Sequence, residues 1–228
     1  MCAVATVYPP TRSFQPRRRG LPPARAERYA RLAEQWALTV EGAPLDLAEL
    51  FQGGDGGPLP VVLDIGFGGG EAVIEMAAAR PAEAIIAIDV HTPGVANVLE
   101  AIEHHGWQHV RVVEGDVLEL LPRLAPGSLA GIRLYFPDPW PKQKQRHRRL
   151  ARADVIPQLV DRLRAGGTLH IATDIADYAA QAERVCAADD RLRGGAVPRP
   201  DWRPVTRFER RGLAAGRTST DLIYERVA

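Results

Sequence analysis

A buried strand, a glycine-rich turn and a helix start follow one another in Val61-Val62-Leu63-Asp64-Ile65-Gly66-Phe67-Gly68-Gly69-Gly70-Glu71. The run Val61–Ile65 is apolar and rich in β-branched residues, which is typical of a strand buried on both faces. Glycines in the following turn let the backbone approach a ligand closely. The segment therefore predicts a strand and a helix that are joined by a ligand-binding turn.

The rest of the chain continues this alternation. We predict further strands over 84–90, 110–113, 132–136, 168–172 and 221–227, and helices over 24–38, 71–79, 94–105, 117–124 and 176–187. A basic helix is expected to run to about Leu163 and to stop at Ala165–Gly167, with Pro157 either kinking it or opening a new segment. The Pro- and Arg-rich tail between Arg191 and Arg203 is expected to fold only on RNA. Alternating βα units predict an α/β fold with a parallel, doubly wound sheet.

Two parts are predicted: a basic N-terminal arm and helix over residues 1–52, and a core domain over 61–228, separated by a glycine-rich loop. The net charge is only +1, but residues 1–33 carry seven arginines and one acid, and residues 142–152 carry six cations and no acid. Such patches on a balanced chain indicate a polyanionic partner. Cys2 and Cys186 cannot form a zinc site or a disulfide framework, and no apolar run approaches the length of a membrane span. We therefore expect a cytoplasmic protein with no metal and no membrane contact.

A second motif, Phe136-Pro137-Asp138-Pro139-Trp140-Pro141-Lys142, ends the fourth core strand. The prolines stiffen a loop that holds Asp138 and Trp140 at the carboxyl end of the strand, where parallel sheets bind ligands. Alone, such a turn often only ends a strand, and the basic run after it would be a solvated helix face. Their adjacency favours a site that holds a nucleobase and grips its phosphates. Whether Trp140 stacks on the base or packs inside stays open.

Three successive strand ends carry the carboxylates Asp64, Asp89 and Asp116. A dinucleotide fingerprint that starts at Gly66 would need its third glycine at Glu71, where an anion opposes a pyrophosphate. S-adenosylmethionine has no phosphate, and its ammonium, ribose diol and adenine amine suit three acids. The alternatives are an ordinary tight turn and aspartates that only cap helices.

The chain resembles the bacterial, single-subunit tRNA (guanine-N7-)-methyltransferases of the class I S-adenosylmethionine-dependent superfamily. The resemblance runs from about Arg12 to the C-terminus and rests on Arg12–Phe14, Asp64–Gly68, Ile88–Gly94, Phe136–Lys142, His147–Leu150, Ala172–Asp174 and Pro204–Gly212. It implies a Rossmann-like, mostly parallel seven-stranded sheet with an N-terminal basic extension. It also implies methyl transfer from S-adenosylmethionine to N7 of guanine at position 46, in the variable loop of tRNA.

The resulting set of expected site residues has three parts. The cofactor is expected to contact Asp64, Gly66, Gly68, Asp89, Asp116 and Asp138, and Asp138 is also the expected catalytic residue. The substrate is expected to contact Lys142, Asp174, Thr206, Arg207, Phe208 and Glu209, and the RNA backbone Arg146, Arg148 and Arg149. The chain departs from the family pattern at Asp64, where Glu is common, at Arg207, where Lys is common, and at Pro141, where a polar or basic residue is usual. These departures affect fine geometry rather than activity.

Two other functions stay open. A non-catalytic RNA-binding subunit on the same fold is opposed by the intact acids and glycine turn. A small-molecule methyltransferase or aminopropyltransferase would explain Asp64 and Asp89, but it leaves the two arginine clusters without a role. We expect tRNA as the partner, no obligate protein partner, and a monomer or homodimer.

Overall fold

An eight-stranded sheet forms the centre of the computed structural model, which describes residues 20–54 and 56–227. The strands are β1 (Ala37–Leu38), β2 (Val61–Ile65), β3 (Ala84–Asp89), β4 (Val110–Glu114), β5 (Leu129–Tyr135), β6 (Leu163–Thr173), β7 (Leu192–Val197) and β8 (Thr220–Arg226). Their order is β1-β4-β3-β2-β5-β6-β8-β7, and β8 runs antiparallel to both neighbours while the other pairs are parallel. This confirms the doubly wound, mostly parallel α/β fold. The predicted count of seven becomes eight because Ala37 and Leu38 pair with Val112 and Val113 at the sheet edge.

Helices cover both faces of the sheet. They are α1 (Pro23–Trp36), α2 (Leu47–Leu50), α3 (Glu71–Ala79), α4 (Thr92–His105), α5 (Val117–Leu120), α6 (Ile156–Arg162), α7 (Ala176–Ala187) and α8 (Arg207–Ala214), with short 3-10 helices at Leu121–Arg123 and Gln143–Arg148. One apolar layer packs α1, α3 and α4 against the sheet, and the other packs the remaining core helices against the opposite face. No helix in the described part of the chain has the length and hydropathy that a bilayer crossing requires.

The basic segment is not the single helix that its composition predicts. Gln143–Arg148 is a 3-10 helix, and α6 begins only at Ile156, so Pro157 opens a new segment rather than kinking an old one. Proline suits the first turn of a helix because its missing N–H would have no partner there. α6 ends at Arg162, close to the predicted Leu163, but Ala165–Gly167 do not form the predicted stop, since these residues belong to β6.

The structure tests the prediction for the tail but not the prediction for the N-terminal arm. Leu192–Val197 forms β7 and pairs with β8 along its whole length, so the expectation that the tail folds only on RNA is wrong. Arg12–Phe14 and most of the basic arm lie outside the described residues. The boundary between residues 52 and 61 stays a prediction.

The strands that carry the site are deeply buried. Every residue of β2 is buried, as are the first five of β3, because helices cover both faces of these strands. The parallel strands β2 to β5 then end at one edge of the sheet, so their terminal residues are brought close together.

Candidate active site

The carboxyl ends of β2, β3, β4 and β5 open into a cleft of about 740 Å³. Of the predicted site residues, the lining contains Asp64, Gly66, Gly68, Asp89, Asp116, Asp138, Thr206, Arg207 and Phe208. Six others lie outside the described lining: Lys142, Arg146, Arg148, Arg149, Asp174 and Glu209. The structure thus gathers the predicted acids and glycines with half of the predicted substrate contacts, and it separates them from the other half and from the three predicted RNA-backbone contacts.

The glycine turn is held from behind by α4. Gly68 has a φ of +63°, in the left-handed region that favours glycine. A Cβ on Gly94 would lie 1.8 Å from the carbonyl oxygen of Gly68, so the first turn of α4 presses directly on the loop. Asn97 donates to the carbonyl of Gly69 at 2.8 Å, and Arg25 of α1 donates to Asn97 at 2.5 Å. Two helices therefore fix the position of the turn.

We expect Gly94→Ala to weaken cofactor binding, because the added methyl group must displace the backbone of Gly68. Such overpacking costs about 1–3 kcal/mol, which corresponds to roughly tenfold in affinity. The measurement is calorimetric titration with S-adenosylhomocysteine. Gly54→Ala is the control, because no described atom lies within 4 Å of its Cβ and it is outside the described cleft lining. Equal affinities in the two variants would show that the close approach of α4 is unimportant.

Asp64 is the most deeply buried acid of the cleft. It is 3% exposed, and its Oδ2 has no hydrogen-bond partner among the described residues. Burial raises the pKa of Asp64 to about 6, although Arg133 on the neighbouring strand opposes the shift and Asp89 adds to it. A buried carboxylate with an unpartnered oxygen is costly unless a ligand pairs with it. Its chemistry fits the ammonium group of S-adenosylmethionine.

This shift predicts a pH dependence of cofactor affinity. Asp64 is ionised above its pKa of about 6 and attracts an ammonium there, whereas a proton occupies it at lower pH. Affinity for S-adenosylhomocysteine should therefore be constant near pH 8 and fall by up to about tenfold per unit once the pH drops below 6. Calorimetry from pH 5 to 8 measures it. The Asp64→Asn variant should bind S-adenosylhomocysteine weakly, and its affinity should no longer fall below pH 6. A fall that persists in that variant would assign the titration to another group.

Asp89 and Asp116 belong both to the cleft and to its framework. Asp89 accepts hydrogen bonds from the backbone of Gly68 at 2.6 Å and of His91 at 2.8 Å. Burial raises the pKa of Asp89, against the effect of these donors. Asp116 accepts from Leu118 at 3.1 Å and caps α5. The capping role that sequence left open for such aspartates is thus present, and it coexists with a place in the cleft lining.

The loop that carries Asp138 is strained at both ends. Phe136 has a φ of +50° and Trp140 a φ of +41°, left-handed values that cost a non-glycine residue about 1–2 kcal/mol each. Asp138 is exposed between the two prolines and lines the cleft. Trp140 is 3% exposed, and the guanidinium of Arg148 lies 5.0 Å from its ring. Of the two roles left open for Trp140, packing is therefore the one that the geometry supports.

Comparisons with known proteins show the family to which the chain belongs. The family described as "Putative methyltransferase" matches residues 58–222. The "tRNA (guanine-N(7)-)-methyltransferase" of Streptomyces avermitilis is 46% identical over 222 residues, which cover 95% of this chain and 75% of the relative. The protein of the same description from Nitrosomonas eutropha is 39% identical over 225 residues, 97% of this chain and 99% of the relative. The chain belongs to the tRNA (guanine-N(7)-)-methyltransferase family.

Solved structures with much lower identity share the fold of this methyltransferase. The 16S rRNA methyltransferase KamB aligns with a TM-score of 0.57 at 14% identity, over 82% of this chain and 96% of its own. The 30S ribosomal A1408 methyltransferase from an uncultured bacterium aligns with a TM-score of 0.56 at 13% identity, over 80% and 91%. At such identities the likeness shows the Rossmann-like methyltransferase fold alone.

Arg149 requires a correction, because it does not point toward solvent in this methyltransferase. Its side chain is 0% exposed and donates to the carbonyl of Pro139 at 2.9 Å, to Gln181 at 2.8 Å and to Asp177 at 2.6 Å. A guanidinium that is buried and shared in this way is not placed to contact an RNA phosphate. Arg149 instead connects the Asp138 loop to α7 through these hydrogen bonds.

The other two arginines that were expected to contact the RNA backbone are more accessible. Arg146 is 43% exposed at its side chain and pairs with Asp177 at 3.1 Å, and Arg148 packs over Trp140. Lys142 is exposed directly after the loop. An RNA contact at these three positions stays a prediction.

Glu209 also requires a correction. It is 2% exposed and accepts hydrogen bonds from Arg203 at 2.7 and 2.8 Å. Burial alone would raise the pKa of Glu209, but the bonds from Arg203 outweigh it and lower the pKa. The buried position does not fit a substrate contact. Thr206 accepts from the backbone of Glu209 at 3.1 Å and caps α8, while Asp174 pairs with Arg217 at 2.8 Å outside the cleft lining.

Sequence reasoning missed several residues of the cleft and its framework. Arg211 lines the cleft although only Thr206, Arg207, Phe208 and Glu209 were expected from that segment. The spacing from Arg207 to Arg211 is one helical turn, which would have indicated a shared helix face. The role of Arg203 had no such signal, because its partners come from distant segments.

Proposed function

We propose that this chain transfers a methyl group from S-adenosylmethionine to N7 of guanine in tRNA, at position 46 of the variable loop, and forms 7-methylguanosine. One observation carries the proposal: four carboxylates on successive strand ends line a single cleft, and arginines stand at its rim. The tRNA (guanine-N(7)-)-methyltransferases that are 39–46% identical over 95–97% of the chain support the assignment of the reaction.

The residues at the base of the cleft are placed to hold the cofactor. Asp64 would pair with its ammonium, Asp89 would accept from the ribose hydroxyls, and Asp116 would accept from the adenine amine. Charge-assisted hydrogen bonds of this kind contribute about 1.5–3 kcal/mol each. The bound cofactor supplies an electrophilic methyl group on a sulfonium.

The task left to the protein is mainly positional. Guanine N7 has an in-plane lone pair and no proton, so this nucleophile needs no base to deprotonate it. Alignment of the reacting atoms can contribute about 7–11 kcal/mol. We assign Asp138 to the Watson–Crick N–H groups of the guanine, where its carboxylate would stabilise the positive charge that develops as N7 is alkylated. The base must be rotated out of its stack to reach the cleft.

The test uses transcripts of tRNA that lack modifications. Purified protein is incubated with S-adenosylmethionine labelled at the methyl group and a transcript that carries either guanine or adenine at position 46. The RNA is then digested to nucleosides. We expect labelled 7-methylguanosine from the guanine transcript and no label from the adenine transcript. RNA binding without transfer would support the non-catalytic subunit, and transfer only to small acceptors would support a small-molecule methyltransferase.

A further inference from the structure

Two arginines of α8 enter the cleft without a protein partner. Arg207 and Arg211 both line it, and neither guanidinium has a hydrogen bond or ion pair within residues 20–54 and 56–227. Both side chains are exposed. Most arginines around the site behave differently: Arg149, Arg203 and Arg217 all bind carboxylates. The pair is therefore available to an external anion.

The opposite face of α8 explains why the pair faces the cleft. Glu209 is buried against Arg203, and Gly212 lies so close to Asp174 that a Cβ would be 2.6 Å from its Oδ2. Residues 209 and 212 share one face of a helix, so 207 and 211 are turned away from it, and 208 lies between the two sides. Phe208 also contacts the cleft, since its ring would be 3.3 Å from a Cβ on Gly68. The buried pairing of Glu209 thus sets the direction of both free arginines.

The charges of the cleft indicate which anion is bound. Its deep end is acidic and matches the cationic and hydroxyl groups of the cofactor, whereas the arginines are exposed at the rim. A guanidinium pair one helical turn apart suits a phosphate, which accepts bidentate hydrogen bonds, and the first turn of α8 adds a favourable dipole. We infer that Arg211, together with Arg207, clamps the tRNA phosphate next to the target guanosine. This inference rests on the proposed function and adds a residue to it.

Arg210 provides a matched control for this clamp. It lies beside Arg211 on the same helix, but it donates to the carbonyl of Val205 at 3.1 Å and is outside the described cleft lining. Arg211→Ala and Arg210→Ala each remove one positive charge at nearly the same place. Any effect of overall charge on RNA binding is therefore equal in the two variants, and the difference between them reports the contact.

We measure the affinity for tRNA by filter binding at several salt concentrations, and kcat and KM with saturating cofactor. Arg211→Ala should weaken tRNA binding and raise its KM about tenfold, and it should lower the salt slope by roughly 0.7–0.9, the value for one phosphate contact. For Arg210→Ala, the tRNA affinity and KM should stay within about twofold of the wild type, and the salt slope should not change. The tRNA affinity of Arg211→Lys should lie between those of the two alanine variants, because lysine keeps the positive charge but cannot donate two parallel hydrogen bonds as a guanidinium does. S-adenosylhomocysteine should bind all forms equally.

Two outcomes would overturn the clamp. Equal tRNA affinities for Arg211→Ala and Arg210→Ala would mean that Arg211 makes no specific contact. A selective loss of S-adenosylhomocysteine affinity in Arg211→Ala would place the arginine on the carboxylate of the cofactor instead. The wild-type product is scored separately: absence of 7-methylguanosine contradicts the proposed function, whereas normal product with two indistinguishable variants contradicts the clamp alone.

Discussion

Asp138→Asn is expected to lower kcat for methyl transfer about 10²–10³-fold, the range found when one preorganised electrostatic contact is removed. Asparagine keeps the size and an acceptor oxygen at this position but loses the negative charge. The charge matters most as N7 becomes positive, so most of the loss should appear in kcat rather than in the binding of tRNA. Affinity for S-adenosylhomocysteine should change by less than about threefold, because the ammonium, ribose and adenine partners remain.

The structure explains why Asp138 is suited to this role. Its loop is held by the buried guanidinium of Arg149, which donates to Pro139, and by the backbone of Phe136, which donates to Ala172 at 2.7 Å. The left-handed φ values of Phe136 and Trp140 persist because these contacts overdetermine the loop. A carboxylate on such a loop is preorganised, and little reorganisation is needed as charge develops.

Single-turnover methylation of tRNA by the Asp138→Asn variant, with the cofactor bound beforehand, measures the chemical step. Asp154→Asn is the control, since this exposed acid follows the same basic run and pairs only with Arg152 among the described residues. It should behave like the wild type. Turnover by Asp138→Asn within about threefold of the wild type would mean that another residue stabilises the transferred charge.

The core strands and most helices could be predicted from local pattern. The bounds of β2, α3 and α7 agree with prediction because a run buried on both faces and a periodic apolar face each leave a strong local signal. The basic run after Lys142 left no such signal, since a solvated helix and a 3-10 helix would have the same composition there. The positive φ at Phe136 and Trp140 also had no signal, because neither residue type favours it.

The acids of the cleft were predictable for a different reason. Asp64, Asp89 and Asp116 follow consecutive parallel strands, and topology alone brings such strand ends together. Arg149 and Glu209 were misassigned because sequence shows a charge but not its burial. Two of the three partners of Arg149 lie on α7, about 30 residues away, and Arg203 donates to Asp221 on β8. Only the tertiary structure separates a charge that binds RNA from one that holds the framework.

That framework is a continuous buried polar network beneath α8. Tyr135 at the end of β5 meets His170 Nδ1 at 2.9 Å, and His170 Nε2 lies 2.7 Å from Asp221. Asp221 accepts from Arg203, which also binds Glu209. Burial lowers the pKa of His170 despite the opposing effect of Asp221, so a neutral imidazole can donate to Asp221 and accept from Tyr135. The network links the cleft floor to the helix that carries Arg207 and Arg211.

Arg203→Ala should therefore lower the free energy of unfolding by about 3–5 kcal/mol, because among the described residues it leaves Glu209 only the single bond from Arg199 and one from Ser219, and it leaves Asp221 only His170. Urea unfolding at pH 7 measures the change. Arg31→Ala, which breaks an ion pair between a 59% exposed side chain and Glu103, is the control and should cost less than about 1 kcal/mol. A loss for Arg203→Ala as small as the control would mean that water or rearranged side chains satisfy Glu209 and Asp221.

The pH dependence of this loss has a definite sign. The pKa values of Glu209 and Asp221 are lowered in the folded protein: burial acts against the shift, but Arg203, and for Asp221 also His170, outweigh it. A carboxylate with a lowered folded pKa stabilises the protein above its unfolded pKa of about 4, and this contribution is lost as the pH falls through the folded value. Without Arg203 both carboxyls should protonate at higher pH. The difference between the wild type and Arg203→Ala should thus be largest near pH 7 and shrink below pH 4, and a difference that grew on acidification would contradict the network.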